Sequence, residues 1–187
     1  MGFLRSLLGT KTAGMMACFD IAKPLTKEAV ISAGMLLRHS EYFPEEQRVV
    51  KLKASAMLFT LYFMHYFNRE FFSRYGSQKL STAQRALFPT VLLEFNKLTE
   101  DNISTKFFYD SFYTIENSFV HCNNHGSAKD YDNTSTVIGV FARSLSSAIC
   151  NDNHLHCDLM VDIAFTTEEA IERIYFEPKI TELSRWY

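Results

Sequence analysis

The stretch Ala54–Phe67, ASAMLFTLYFMHYF, decides the fold: across its fourteen residues only Ser55, Thr60 and His65 are polar. A helix that is apolar on every face must be covered by other elements on every side, so this segment predicts the centre of a helical assembly. Lys51 and Lys53 precede it and Asn68-Arg69-Glu70 follow it. The uninterrupted apolar run therefore falls short of the roughly 20 residues that cross a bilayer, and no membrane span is expected.

Working outward, Pro44 suits the first turn of a helix, and Glu45-Glu46 place negative charge where the helix dipole favours it. One aromatic-rich helix is predicted from about 45 to 75, with Gly76 as its stop. Upstream, a short amphipathic piece at Phe3–Leu8 precedes a helix opened by Thr26-Lys27-Glu28. Its Ala29, Val30, Ala33, Leu36 and Leu37 keep helical spacing to about Arg38. Downstream, Ser81 is placed to cap a helix through Leu98 that Pro89 should kink or split.

Ile103, Phe107, Phe108, Phe112, Ile115 and Phe119 form a further helical stripe between about Asn102 and Cys122. NNHGSAKDYDNTS at 123–135 reads as a long loop, and Val137–Cys150 as a helix ending at the turn Asn151–Asn153. Residues 155–165 alternate like a strand while Leu155, Leu159 and Ile163 share a helical face. Helix is preferred because no second segment offers comparable alternation to pair with. Thr166 with Glu169 has the spacing of a capping box and should begin a last helix ended by Pro178. The expectation is a single all-α domain over 1–187, a bundle of about six to seven helices around the aromatic-rich one.

The 187 residues are 47% hydrophobic with only seven Gly and four Pro, a composition that disfavours disorder and turn-rich β folds. The four cysteines form no CxxC pair, and MGFLRSLLG lacks the apolar region and cleavage site of a secretory signal, so a cytoplasmic protein with reduced thiols is expected. Met1-Gly2 with Ser6 fits the N-myristoylation pattern, which arises often by chance. The net charge of -2 is unevenly spread: residues 1–85 hold 12 Lys/Arg and 6 Asp/Glu, residues 86–187 hold 7 and 15. No dense basic stripe is present, so no nucleic-acid partner is expected.

Three functional readings follow. The main one is a non-enzymatic, partner-binding protein of immunity, adaptor or regulator type, offering Glu168, Glu169 and Glu172 of its acidic half to another protein; a homodimer is also compatible with so aromatic a chain. No cofactor is expected on that reading. It rests on charge segregation and on the lack of GxSxG, Walker or GxGxxG motifs. The second is a metal-dependent enzyme. Four of six histidines and three of four cysteines fall between His121 and Cys157, and His121, His125, His154 and Asp158 have i,i+4 spacing within each pair for holding zinc or iron. Against it, the spacings match no standard zinc pattern, and Cys122, Cys150 and Cys157 suit apolar faces. The third is an apolar-ligand binder whose aromatic-lined pocket holds Tyr62, His65 and Tyr66, although a lone core histidine ordinarily needs only a hydrogen-bond partner.

Overall fold

A computed structural model describes the backbone of residues 2–152 and 154–187 and the side chains of residues 12–152 and 154–187. It is 81% helical, with six helices and no strands among the described residues. In order these are α1 (Gly2–Met35), α2 (Arg48–Thr99), α3 (Thr105–Ser118), α4 (Val137–Cys150), α5 (Cys157–Ile174) and α6 (Phe176–Leu183). No helix among the described residues is long and apolar enough to cross a membrane. The myristoylation pattern and the side chains of Phe3–Leu8 lie outside the described residues, as does Asn153.

The expected central helix is the first arm of α2. The backbone breaks at Gly76, whose φ of 79° and ψ of 176° suit only glycine, and resumes as a second helical arm. The first arm buries Phe59, Leu61, Tyr62, Phe63, Met64, Phe67 and Phe71, which point to every side of the helix. The second buries one face, Ala83, Leu87, Phe88, Val91, Leu92 and Phe95. Against this length lies α1, whose buried face mixes small side chains, Ala17, Cys18, Ala22, Ala29 and Ala33, with the larger Ile21 and Leu25.

Several boundaries differ from the expectation. Helix α1 does not begin at Thr26 but runs from Gly2 through Pro24; the carbonyl that proline leaves without a donor belongs to Asp20, at an exposed position, and Thr26 Oγ1 donates to Ala22 O at 2.8 Å. α2 starts at Arg48, after Glu45–Gln47 forms a short 3-10 turn behind Pro44. Ser81 caps nothing, and the helix continues through Pro89, which faces outward. α3 is shorter than its apolar stripe, from the cap at Ser104, whose Oγ accepts from Phe107 N, to Ser118.

The alternating segment is helical, and it continues into what looked like a separate helix. Thr166 is buried inside α5 rather than capping, and Thr167 Oγ1 returns to Ile163 O. The break comes instead at Tyr175, in the left-handed region at φ 51°, and Pro178 sits in the first turn of α6, where its missing N–H is no loss.

The long loop is held rather than free. Asn124 forms an isolated bridge with Thr136, Ile138 N donates to His125 O, and Ser127 and Asp130 close a capping box around the turn Ala128–Asp130. The loop lies directly on the first turn of α4 because Gly139 has no side chain. A Cβ there would stand 2.6 Å from Asp130 O and nearer still to Asn133 O. Gly34 of α1, in contrast, has nothing within 4 Å of an added Cβ. Gly139→Ala is therefore expected to destabilise the fold by about 2–3 kcal/mol through overpacking, while Gly34→Ala adds about 0.5–1 kcal/mol of helix preference. Urea unfolding of the two variants checks both signs.

Candidate functional site

The histidines serve as pins between elements. His39 Nε2 meets Asp162 Oδ2 at 2.6 Å, with Arg38 Nε on the same carboxylate, so the connector after α1 is tied to α5. His65 Nδ1 of α2 meets Glu116 Oε1 of α3 at 2.7 Å. His156 Nε2 lies 3.0 Å from Asp152 Oδ1 and its Nδ1 2.9 Å from the Tyr42 hydroxyl. With Nε2–H donating to the carboxylate, Nδ1 of the neutral ring accepts from the phenol. This order of carboxylate, imidazole and hydroxyl is also that of an activated nucleophile, but partial burial and the nearby Cys150, Glu41 and Asp152 push the Tyr42 phenol up, away from activation. The chain of bonds acts as a latch fastening the connector to the α4–α5 turn.

The four expected metal ligands are not brought together. His121 and Asp158 are exposed, His154 is exposed with its backbone N–H donating to Asp152, and His125 turns inward to the Tyr62 hydroxyl at 2.9 Å. Among the described residues no group of three His, Cys, Asp or Glu is disposed to hold a metal ion. All four cysteines are free thiols.

Tyr62, His65 and Tyr66 do come together, but rings fill the space around them. Tyr62 is fully buried, with Phe141 at 4.2 Å, His125 at 5.7 Å and Phe119 at 6.1 Å between ring centroids. The Tyr66 ring stands edge-on to His125 at 4.8 Å. Its other side lines a small polar cleft of about 220 Å³ with Glu70, Arg74 and Glu172. The acidic trio is likewise partly engaged: Glu168 accepts from Ala128 N and braces the loop, Glu169 pairs with Arg173, and Glu172 lines that cleft.

Besides a cavity of about 250 Å³ between α1 and α2, wider open space lies between α3 and α4. These two helices flank the first arm of α2 but barely touch each other, leaving a trough whose floor is the α2 stripe Val50, Ala54, Leu58 and Leu61. Three cavities of about 370, 500 and 510 Å³ share Leu58 and run together along it. Phe107 and Ile115 from α3 and Phe141, Leu145 and Ala148 from α4 form the walls. Val50 is 71% and Phe107 58% exposed, a large apolar area left in water.

Several polar groups around this rim are bonded within the protein, whereas Ser111 and Ser144 make no side-chain hydrogen bond among the described residues. Thr114 Oγ1 donates to Asp110 O and Ser118 Oγ to Ile115 O within α3. Lys51 Nζ donates to the carbonyls of Tyr42 and Ile149, Lys53 pairs with Asp101 at 2.9 Å, and Lys106 with Asp110 at 2.9 Å. Sequence reasoning missed the trough because Val50, Ala54 and Leu58 continue the same helical spacing as the buried Leu61. Only the failure of α3 and α4 to meet distinguishes them. Comparison with known protein families, with curated proteins and with solved structures finds no match.

His125 also gives the fold a pH dependence. Burial, with His65 and Arg69 nearby, pushes its pKa down from 6.5 to about 4, so the folded chain keeps the ring neutral where the unfolded chain protonates it. Its contribution is complete above about 6.5 and is lost as pH falls from there to about 4, amounting to about 3 kcal/mol. Stability measured by urea unfolding at pH 7, 5.5 and 4.5 should fall across this window, and His125→Phe should flatten that part of the profile. The carboxylates of Asp130 and Asp152, whose pKa values are lowered by hydrogen bonds, lose their contributions below this range.

Proposed function

We propose that this chain is a non-catalytic binding protein that receives the apolar face of a partner protein's amphipathic helix in the trough between α3 and α4. The observation that carries the reading is the trough itself: an open channel lined mainly by apolar side chains, with its lysines engaged by carbonyls and carboxylates of the protein. A helix satisfies its own backbone internally, so it can enter such a channel without leaving amides unpaired, which an extended peptide cannot. From Val50 to Leu61 the floor spans about 17 Å at the helical rise, the length of three turns of an occupant. A fatty acid or phospholipid would look for a cation to hold its headgroup, and Lys51, Lys53 and Lys106 are each engaged. The reading keeps the partner-binding expectation and moves its surface from Glu168, Glu169 and Glu172 to the trough.

The test is selection of helical peptides of about 14 residues, displayed as a random amphipathic library, against the immobilised protein. Expected winners carry apolar residues at i, i+3, i+4 and i+7. They lose at least about tenfold in affinity to Ala148→Arg and to Phe107→Asp, exposed positions whose change should leave the melting temperature within a few degrees. Failure to enrich that pattern, or winners indifferent to both substitutions, contradicts the proposal.

A further inference from the structure

Helix α1 starts well before its buried face does. Among the described residues that face begins at Gly14 and Ala17, and a Cβ added to Gly14 would meet the Tyr187 hydroxyl at 3.0 Å. The helical backbone runs back from there to Gly2, about 18 Å further along the axis. Thr12, Met15 and Met16, on this approach, are exposed. In the sequence, Leu4, Leu7 and Leu8 stand at i, i+3 and i+4, the spacing the trough asks of an occupant, and Lys11 follows at i+7. This stretch is out of reach of its own trough. Val30 and Gly34, near the other end of α1, line a cavity with Val49 and Leu52 at the start of α2. Leu7 is held about 35 Å from Val30 along the same helix. At the mouth of the trough, Glu46 makes no ion pair among the described residues, whereas Lys51 is taken by two carbonyls.

We infer that the helix received by the trough is the start of α1 from a second copy of this chain, with Leu4, Leu7 and Leu8 on the floor and Lys11 beside Glu46. The inference rests on the trough reading above. Glu46 precedes the floor residues in sequence while Lys11 follows the leucines, so the docked helix runs antiparallel to the first arm of α2. The lysine stem lies along the exposed Val50 and its ammonium meets the carboxylate in water. Helix and trough are different surfaces and each copy carries both, so the contact is heterologous.

Light scattering at rising concentration of the full chain tests this. The wild type is expected to associate, and Leu7→Glu and Ala148→Arg each to stay monomeric. An equimolar mixture of the two variants recovers a complex, because one keeps its trough and the other its helix. Lys11→Glu weakens association about threefold, and adding Glu46→Lys to it restores the loss. A labelled peptide of Phe3–Met16, followed by fluorescence anisotropy, repeats the test without a variant helix: it binds the wild-type chain and is lost on Ala148→Arg. Association that both variants leave intact, or a mixture that recovers nothing, overturns the inference. A chain that stays monomeric and ignores the peptide while selected library helices bind overturns it too, and the trough reading stands. If those helices also fail to bind, or ignore Ala148→Arg, the trough reading falls and this inference with it.

Discussion

The first arm of α2 is apolar on nearly every side, and α1, α3, α4 and α6 are placed to cover it, while α5 packs on α1 and α4. Phe59, Tyr62, Phe63 and Phe67 are fully buried on one broad face, and Leu61 and Met64 are buried on the opposite side, so no single neighbour could shield them all. α1 takes one side, α3 and α4 take two flanks, and Phe176 of α6 closes on Phe67 and Tyr66. Such a helix cannot be stable alone. Its burial is the main apolar gain in the fold, of order 25 cal/mol for each Å² removed from water.

The polar atoms carried into this core are managed by specific partners. Tyr62 finds His125, His65 finds Glu116, and Thr60 turns back on its own helix. The loop after α3 is long because it must deliver His125 into the core and then return to the start of α4. Gly126 at φ 78° and Gly139 under the loop backbone permit that path. The ring nitrogens left over, His65 Nε2 and His125 Nδ1, remain buried without partners, a cost that the surrounding packing offsets.

Much of this was legible in the sequence, where local rules and tertiary need agree. The all-apolar helix, the break at Gly76 and the α4 segment Val137–Cys150 followed from periodicity and backbone permissiveness. The misread boundaries share one cause: a local stop or start signal was outweighed by packing. Pro24 and Pro89 lie within helices whose neighbours hold them, and Thr166 sits mid-helix because Leu159, Ile163, Ala170 and Ile174 keep one continuous face buried. Of the site, the sequence marked Tyr62, His65 and His125 as worth partners but could not say that rings would fill the space between them. His39 and Asp162, 123 residues apart, offered no local signal of their pairing. The trough was invisible for a deeper reason: an apolar residue facing a gap and one facing a core have the same periodicity.

The account turns on whether that gap is where a helix binds. Intermolecular nuclear Overhauser effects between methyl-labelled protein and a bound, unlabelled amphipathic helix test this directly. The account predicts contacts from the helix to the methyl groups of Val50, Leu58, Leu61, Ile115 and Leu145, which come from three different helices and meet only along the trough. Contacts confined instead to Ile171 and Ile180, beside the acidic cleft of α5 and α6, would contradict it.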